Sequence, residues 1–255
     1  MSEYKKFDYD MRLDGKVAVV SGGTSGIGKS IAEVLSCRGA KVVILGRRPE
    51  TPEIAKELGC SVSGKILDIT DHQAARKVLH EIEAECGTID ILVNSAGVPS
   101  GIPALDIEEE EFEHVLSVNL EAAFFLAQEA GKIMIAKGNG GRIINIASDA
   151  GISAVENHIA YSASKAGLLS VTRTLALEWG QYGITTNAIS PTVVMTPMSR
   201  AYWSGERAEK KLAQIPVHRF GEMDEIAAAA AFLASDGAQM INGHNLVIDG
   251  GLSIC

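Results

Sequence analysis

Short runs of β-branched residues alternate with longer stretches of helical composition along almost the whole of this 255-residue chain. The runs Val17–Val20, Lys41–Leu45, Val62–Leu67, Ile89–Val93, Arg142–Ile146, Ile184–Ile189 and Asn245–Ile248 predict strands. Most place Val and Ile on consecutive positions, the pattern of parallel strands buried on both faces. Between them, Lys29–Arg38, Pro52–Leu58, His72–Glu85, Glu109–Ala136, Ser162–Trp179 and Asp224–Ala234 predict helices. Gly39, Gly59, Gly87 and Gly180 stand where a glycine would end a helix in the left-handed conformation. This alternation predicts right-handed βαβ units and a single-domain α/β fold, a doubly wound parallel sheet of about seven strands with helices on both faces.

Two stretches break the rhythm. Residues 1–14 precede the first strand and read as an N-terminal arm. Residues 191–221, with Pro191, Pro197 and Pro216, are too long and irregular for a simple connection and read as a lid over a substrate site.

Composition changes this picture only by exclusion. A net charge of −9 argues against nucleic acid as a partner, because phosphate binding needs a basic surface. Cys37, Cys60, Cys86 and Cys255 are dispersed without metal-ligand spacing, so free thiols, a reducing cytoplasm and no metal are expected. The N-terminal residues are interrupted by acids and lead into no apolar stretch, unlike a signal peptide, and no apolar run is long enough to cross a membrane.

The first strand runs into Ser21-Gly22-Gly23-Thr24-Ser25-Gly26-Ile27-Gly28, and a helix follows at once. Glycines in a strand–turn–helix let the backbone approach a pyrophosphate and aim a helix N-terminus at its charge. Alone, such a cluster also fits a flexible turn; the flanking strand and helix favour dinucleotide binding. At the end of the second strand, where a carboxylate usually meets the adenosine ribose, the sequence is Leu45-Gly46-Arg47-Arg48. A guanidinium suits a 2′-phosphate, so NADP(H) is favoured over NAD(H), although either arginine would also sit well in solvent. Ser25 adds no second basic contact.

Tyr161 and Lys165 are four residues apart on a predicted helix and share one face. An ammonium beside a phenol is expected to lower its pKa from about 10 and make it a general acid/base. Most such pairs are surface neighbours, and this one needs company. Ser148 supplies it, directly after the strand Arg142–Ile146, where ligands bind in a doubly wound sheet. A hydroxyl there can hold a substrate oxygen, or can simply cap a turn. Asn94-Ser95-Ala96-Gly97 lies at another carboxyl strand end and would wall a dinucleotide.

Together these residues resemble the short-chain dehydrogenase/reductase family, from about Leu13 to Gly251. The glycine turn is similar to that family's T-G-x-x-x-G-x-G with Ser21 for Thr, and Asn94–Gly97 to its N-N-A-G with Ser95 for Asn. Tyr161 and Lys165 match Y-x-x-x-K, and Asn119 matches the family's fourth catalytic residue. The resemblance implies a Rossmann-like fold and hydride transfer between a nicotinamide dinucleotide and a carbonyl or alcohol. It implies that Ser148 holds the oxygen, Tyr161 moves the proton, Lys165 lowers the tyrosine pKa and binds the nicotinamide ribose, and Asn119 positions a relay water. It assigns cofactor contacts to Gly22, Thr24, Ser25, Gly26, Ile27, Gly28, Arg47, Arg48, Asp68, Ile69, Asn94, Ala96, Gly97, Tyr161, Lys165, Pro191, Val194 and Thr196. Among these, Asp68 resembles the adenine contact and Thr196 the carboxamide contact. The sequence departs from the family at Pro191-Thr192, where Pro-Gly is usual.

For the substrate, residues 149–159 are expected to line the pocket, with Ser148, Tyr161, Glu156, Asn157 and His158 as contacts for a polyhydroxylated molecule. The last three also fit an exposed loop. Met195, Met198, Tyr202 and Trp203 in the lid would instead suit something apolar, or plain packing. The chain looks most like polyol or sugar dehydrogenases. The alternatives are a 3-oxoacyl-carrier-protein reductase, whose acidic carrier would need Arg200, Arg207, Lys210 and Lys211, and a non-catalytic redox-sensing dinucleotide binder, which need not keep the four catalytic residues. A sugar-nucleotide epimerase also uses Y-x-x-x-K but usually carries an extra substrate domain. The resemblance further implies a homotetramer; the apolar Ile226–Ala234 helix and Leu246–Ile248 strand fit its contacts or, equally, the core of a single chain.

Overall fold

In strand β1 (Val17–Ser21), successive side chains go to opposite faces of a sheet, and both faces are apolar. Ala18 and Val20 join Val42, Ile44, Ile91 and Val93 against helix α1 (Gly26–Cys37). Val17 and Val19 join Val43, Leu45 and Leu92 against helix α3 (His72–Cys86). The consecutive β-branched residues in the sequence therefore serve two cores. The computed structural model describes residues 10–196 and 199–254, apart from the side chains of Ala201 and Tyr202.

The remaining strands are β2 (Lys41–Gly46), β3 (Val62–Ile66), β4 (Ile91–Asn94), β5 (Gly141–Ile146), β6 (Ile184–Pro191) and β7 (Asn245–Ile248). All seven run parallel in the order β3-β2-β1-β4-β5-β6-β7, the Rossmann-like arrangement expected. Strand order reverses between β1 and β4, so the chain opens a crevice above their carboxyl ends. Helices α2 (Thr51–Glu57) and α9 (Met223–Ala234) lie with α1 on one face. Helices α5 (Ala122–Lys137) and α6 (Ile159–Trp179) lie with α3 on the other. Fully buried Ile31, Leu35, Leu79, Ile82 and Leu126 each contribute about 1.5–3 kcal/mol to holding these layers.

Three differences from expectation, and one choice the sequence left open, have physical causes. The outer strands are less buried than the inner ones, with Ile66 of β3 half exposed, because an edge strand lacks neighbours. The stretch Glu109–Ala136 is not one helix: α4 (Glu109–Leu116) passes through a π-helical turn at Ser117–Glu121 into α5. Gly39, Gly59 and Gly87 have positive φ as expected, but Gly180 does not; a 3₁₀ turn extends α6 and Gly183, at φ 74°, makes the left-handed stop. The apolar side of α9 is spent in the core, with Ile226, Ala227 and Ala230 fully buried beneath α1.

Residues 191–221 carry two helices, α7 (Ser199–Tyr202) and α8 (Gly205–Gln214), and close on themselves through a bridge between Val194 and Gly221. Trp203 packs on Phe220 with ring centroids 5.7 Å apart. Pro197, Met198 and the Tyr202 side chain lie outside the described residues, as do residues 1–9 of the arm and Cys255. Leu13 of the arm is buried, and its N–H donates to Arg38 O at 2.8 Å. Among the described residues, no helix is long and apolar enough to cross a membrane, and no group of His, Cys, Asp and Glu has the arrangement of a metal site.

Candidate active site

The crevice above β1 and β4 holds a cavity of about 720 Å³. Its floor is the glycine turn. Gly22 takes φ 69° and packs so closely on the β4 loop that an added Cβ would lie 2.8 Å from the Ala96 backbone. A Cβ on Gly28 would stand 2.4 Å from Gly22 O. Ser21, in place of a threonine, ties the two carboxyl ends together: its Oγ accepts from Ser95 N at 3.2 Å and Ala96 N at 3.4 Å. The tight turn delivers α1 to the cavity with no side-chain cap from Ser25 and no acid in its first turn. Free N–H groups at a helix start, facing a cavity, fit the pyrophosphate of a dinucleotide.

Both arginines at the end of β2 border the cavity and differ in what holds them. Arg48 Nη2 turns back on the glycine turn, donating to Thr24 O at 3.0 Å and Thr24 Oγ1 at 2.9 Å. Arg47 lines the cavity beside Asp68. Burial works to raise the Asp68 pKa, but hydrogen bonds from Thr70 N and Oγ1, at 3.0 and 2.8 Å, together with the charges of Arg47 and His114, hold it below the usual carboxylate value. Gly22, Thr24, Ser25, Gly26, Ile27, Gly28, Asp68, Ile69, Ala96, Gly97, Pro191, Val194 and Thr196 all border the same cavity.

Asn94 does not. It is buried at the end of β4, donating to Ala123 O at 3.1 Å and Asn145 Oδ1 at 2.9 Å. Asn145 in turn donates to Thr172 Oγ1 on α6 at 2.9 Å, so Asn94 anchors a polar chain through β5 to α6. Its place is behind the wall. Residues of the wall that the sequence did not single out are Val98, Pro99, Val118, Ile146 and Ala147, which follow or flank strand ends and carry no chemical signature.

Ser148, Tyr161 and Lys165 border the cavity together. Tyr161 and Lys165 come from successive turns of α6, and Lys165 Nζ stands 5.6 Å from the tyrosine ring centre. Burial pushes the Tyr161 pKa up; a hydrogen bond with Ser148 opposes this, and the Asp149 carboxylate adds to it. The expected lowering by Lys165 is therefore not what governs the phenol here. Lys165 donates to Ile146 O at 2.8 Å, and burial brings its own pKa down to about 8.

Asn119 sits on the π-helical turn and clamps the β4 loop: Oδ1 accepts from Val98 N at 2.8 Å, and Nδ2 donates to Val98 O at 3.0 Å and Ser164 Oγ at 3.2 Å. A Cβ on Gly97 would lie 3.2 Å from Asn119 Oδ1 and 3.6 Å from Lys165 Nζ, so both atoms border one small space. A π turn shifts side chains relative to an α-helix and often marks a functional position.

Of the proposed polyol contacts, Glu156 and Asn157 are exposed and outside the cavity wall. Asn157 has φ 62°, in the left-handed region that asparagine tolerates. His158 is partly buried; its Nδ1 lies 2.6 Å from Glu156 O, and its ring stands 6.3 Å from that of Tyr161, nearly edge-on. Asp149, in the expected pocket segment but not among its named contacts, accepts a hydrogen bond from Ser148 Oγ at 3.0 Å.

Comparison with known proteins agrees with this geometry. The family model described as enoyl-(acyl carrier protein) reductase matches residues 22–253. An NAD-dependent glycerol dehydrogenase of Listeria innocua serovar 6a is 44% identical over 252 residues, covering 98% of this chain and 99% of the relative. A D-threitol dehydrogenase of Mycolicibacterium smegmatis is 45% identical over 251 residues, covering 97% and 96%. The crystal structure of a gluconate 5-dehydrogenase from Burkholderia cenocepacia, in complex with NADP and tartrate, superposes with a TM-score of 0.92 at 33% identity, covering 96% and 98%. Glycine turn, parallel sheet, the Ser148–Tyr161–Lys165 group and these relatives agree: the chain belongs to the short-chain dehydrogenase/reductase family of nicotinamide-dependent oxidoreductases.

Proposed function

We propose that this enzyme interconverts a secondary alcohol of a polyol or sugar and the corresponding ketone, with NADP(H) favoured over NAD(H). The observation that carries the reading is the meeting of Ser148, Tyr161 and Lys165 at the wall of a dinucleotide-shaped cavity. When bound, the nicotinamide supplies the hydride acceptor or donor. Ser148 holds the substrate oxygen, and Tyr161 moves the proton at its phenol oxygen. Lys165, with one of its three hydrogens committed to Ile146 O, keeps two for the nicotinamide ribose and a proton relay bordered by Asn119. Its pKa of about 8 suits a group that trades protons near neutrality. The glycine turn, Asp68, Ile69, Pro191, Val194 and Thr196 line the cavity and would hold the dinucleotide.

The polyol assignment rests on similarity, across nearly the full chain, to relatives named for glycerol and threitol. The NADP(H) preference rests on Arg47, which borders the cavity where the ribose carboxylate is missing, and on the NADP of the gluconate dehydrogenase complex. The glycerol dehydrogenase, named as NAD-dependent, favours the other cofactor. The protein is read as a cytoplasmic homotetramer, which light scattering checks.

Glycerol, D-threitol, gluconate and an acetoacetyl thioester assayed with both cofactors test the whole reading. Oxidation of a polyol is expected, and turnover of the thioester alone overturns it. Arg47→Ala is expected to raise the dissociation constant for NADPH by about tenfold while leaving NADH unchanged, because charge-assisted bonds to the 2′-phosphate would be lost. Equal effects on both cofactors overturn the assignment of Arg47.

A further inference from the structure

A backbone N–H can only donate and a backbone carbonyl can only accept. Val98 offers Asn119 one of each, so the amide oxygen must meet Val98 N, at 2.8 Å, and the amide nitrogen Val98 O, at 3.0 Å. The second amide hydrogen of Asn119 is left to be placed in the interior, where an unpaired donor is costly. Ser164 takes it: Nδ2 donates to Ser164 Oγ at 3.2 Å. Ser164 then gives its own hydrogen to the backbone carbonyl of Tyr161 at 2.7 Å. The direction of every bond in this chain is set by the backbone groups at its two ends. Asn119 is 1% exposed and Ser164 0%, so the protein itself must supply these partners.

The chain crosses three elements. Val98 belongs to the β4 loop, Asn119 to the π turn, and Ser164 to α6, between Tyr161 and Lys165. Gly97, the neighbour of Val98, marks where Asn119 Oδ1 and Lys165 Nζ come together around one small space. Lys165 is held by its own bond to Ile146 O. Among the described hydrogen bonds, the one to Ser164 is what joins the Asn119 side chain to α6.

We propose that Ser164 is a positioning residue for proton transfer: it fixes Asn119 against the helix that carries Tyr161 and Lys165, and so sets the width of the space those two side chains share. The inference rests on the reading of Asn119 and Lys165 as borders of a proton relay. It does not depend on which alcohol is oxidised. Oxidation sends the substrate's hydride to the nicotinamide and its hydroxyl proton to the Tyr161 phenol oxygen, and the relay must then carry that proton away. Ser164 is fully buried and does not border the cavity, so its loss should slow turnover and spare binding.

The test uses full-length Ser164→Ala and Ser164→Cys, each alone and combined with Asn119→Ala. Cysteine keeps nearly the serine's volume but is a weak donor and acceptor, and carries the test should the alanine variant fold poorly. The substrate is whichever of glycerol, D-threitol, gluconate and the acetoacetyl thioester the unaltered enzyme turns over fastest. Turnover of the thioester alone therefore overturns the polyol reading and leaves this test in place. In either Ser164 variant kcat is expected to fall about tenfold, the worth of one buried hydrogen bond. KM and the dissociation constant of the reduced dinucleotide, read by fluorescence titration, should hold within about twofold. In the Asn119→Ala background the same change is expected to cost less than about twofold, because the group it positions is gone. Equal losses in both backgrounds overturn the inference, as does a kcat within about twofold of the unaltered enzyme. A rise in the dinucleotide dissociation constant matching the fall in kcat also overturns it, by showing a loosened wall instead. Full activity of Asn119→Ala alone is a different failure: it overturns the relay reading, and this inference with it.

Discussion

The two ends of the sheet carry cavities of similar size and opposite character, about 720 Å³ above the carboxyl ends of the strands and about 630 Å³ below their amino ends. In a parallel sheet every strand points the same way, and each crossover helix returns antiparallel to it. Helix starts therefore collect at one end and helix finishes at the other. The upper cavity receives the uncapped start of α1, while the lower one is bordered by Gly138, Gly180 and Ala234, at the finishing ends of α5, α6 and α9. Polar groups follow the same division. Above, Lys165 keeps hydrogens in reserve and Arg47 faces the cavity. Below, Arg142 is engaged by Gly141 O at 3.0 Å and Asp236 at 3.5 Å, and Asp90 by Val17 N at 2.9 Å. Arg142 Nε and Thr185 Oγ1 have no partner there, but both atoms are sealed from the cavity as well as from solvent. What separates the two is the glycine turn and the Ser148–Tyr161–Lys165 group above, which the residues bordering the lower cavity do not repeat.

The largest test of this contrast is a pair of tyrosines. Tyr161→Phe, above, is expected to lower kcat by about 10²–10⁴-fold while the dinucleotide dissociation constant holds within about twofold, because only the proton transfer is lost. Tyr182→Phe, at the lower cavity, should leave both unchanged. Steady-state kinetics and fluorescence titration separate the two. Comparable losses from both would break the contrast. A pair of glycines comes next. Gly28→Ala places a Cβ 2.4 Å from Gly22 O, so the turn must open. Dinucleotide binding is expected to weaken at least about tenfold, with about 1–3 kcal/mol of stability lost to overpacking. Gly138→Ala below meets open space at φ 72° and should cost about 1–2 kcal/mol of backbone strain with cofactor affinity intact. Urea denaturation and titration measure both.

The upper end was the more legible one because function there is written in residue types. The glycine spacing, Ser148, Tyr161 and Lys165 announce themselves, and the run of Val and Ile gives the sheet beneath them. What stayed hidden depends on three-dimensional accounting. Nothing in Arg47-Arg48 says that the second arginine, which borders the cavity as the first does, also ties its Nη2 to Thr24. Asn94 belongs to a matching motif, yet both of its amide hydrogens go to Ala123 and Asn145 behind the wall. Glu156 and Asn157 have the chemistry of sugar ligands, but their exposure outside the cavity wall depends on the loop's path and is not written in residue type. The π turn at Asn119 leaves no mark in composition, and Gly180 and Gly183 are both plausible stops three residues apart.

Smaller effects separate the ends by stability. Lys165 is buried with a pKa near 8, against 10.5 when exposed, so the folded chain binds fewer protons than the unfolded one between those values. Its contribution to stability therefore rises with pH through that window. Lys165→Met should remove the rise and, by relieving a buried charge, stabilise the fold at pH 7 by about 1 kcal/mol, which chemical denaturation at pH 7, 9 and 10 would register. An unaltered pH dependence would mean that the ammonium is better solvated than its surroundings indicate.

The lower end should answer least. Asp236→Asn removes the charge partner of Arg142, but Asp236 is 69% exposed and stands 3.5 Å away, a geometry in which water screens most of the attraction. The expected loss is below about 1 kcal/mol, with turnover and cofactor affinity unchanged. Arg142 is the more buried partner, its side chain 13% exposed, and it keeps its bond to Gly141 O. A stability loss of several kcal/mol would show that Asp236 neutralises a desolvated guanidinium rather than decorating an exposed one. A change in cofactor affinity would show that the two ends of the sheet communicate through β5, the strand that begins at Gly141 beside Arg142 and runs up to Ile146, whose carbonyl holds Lys165.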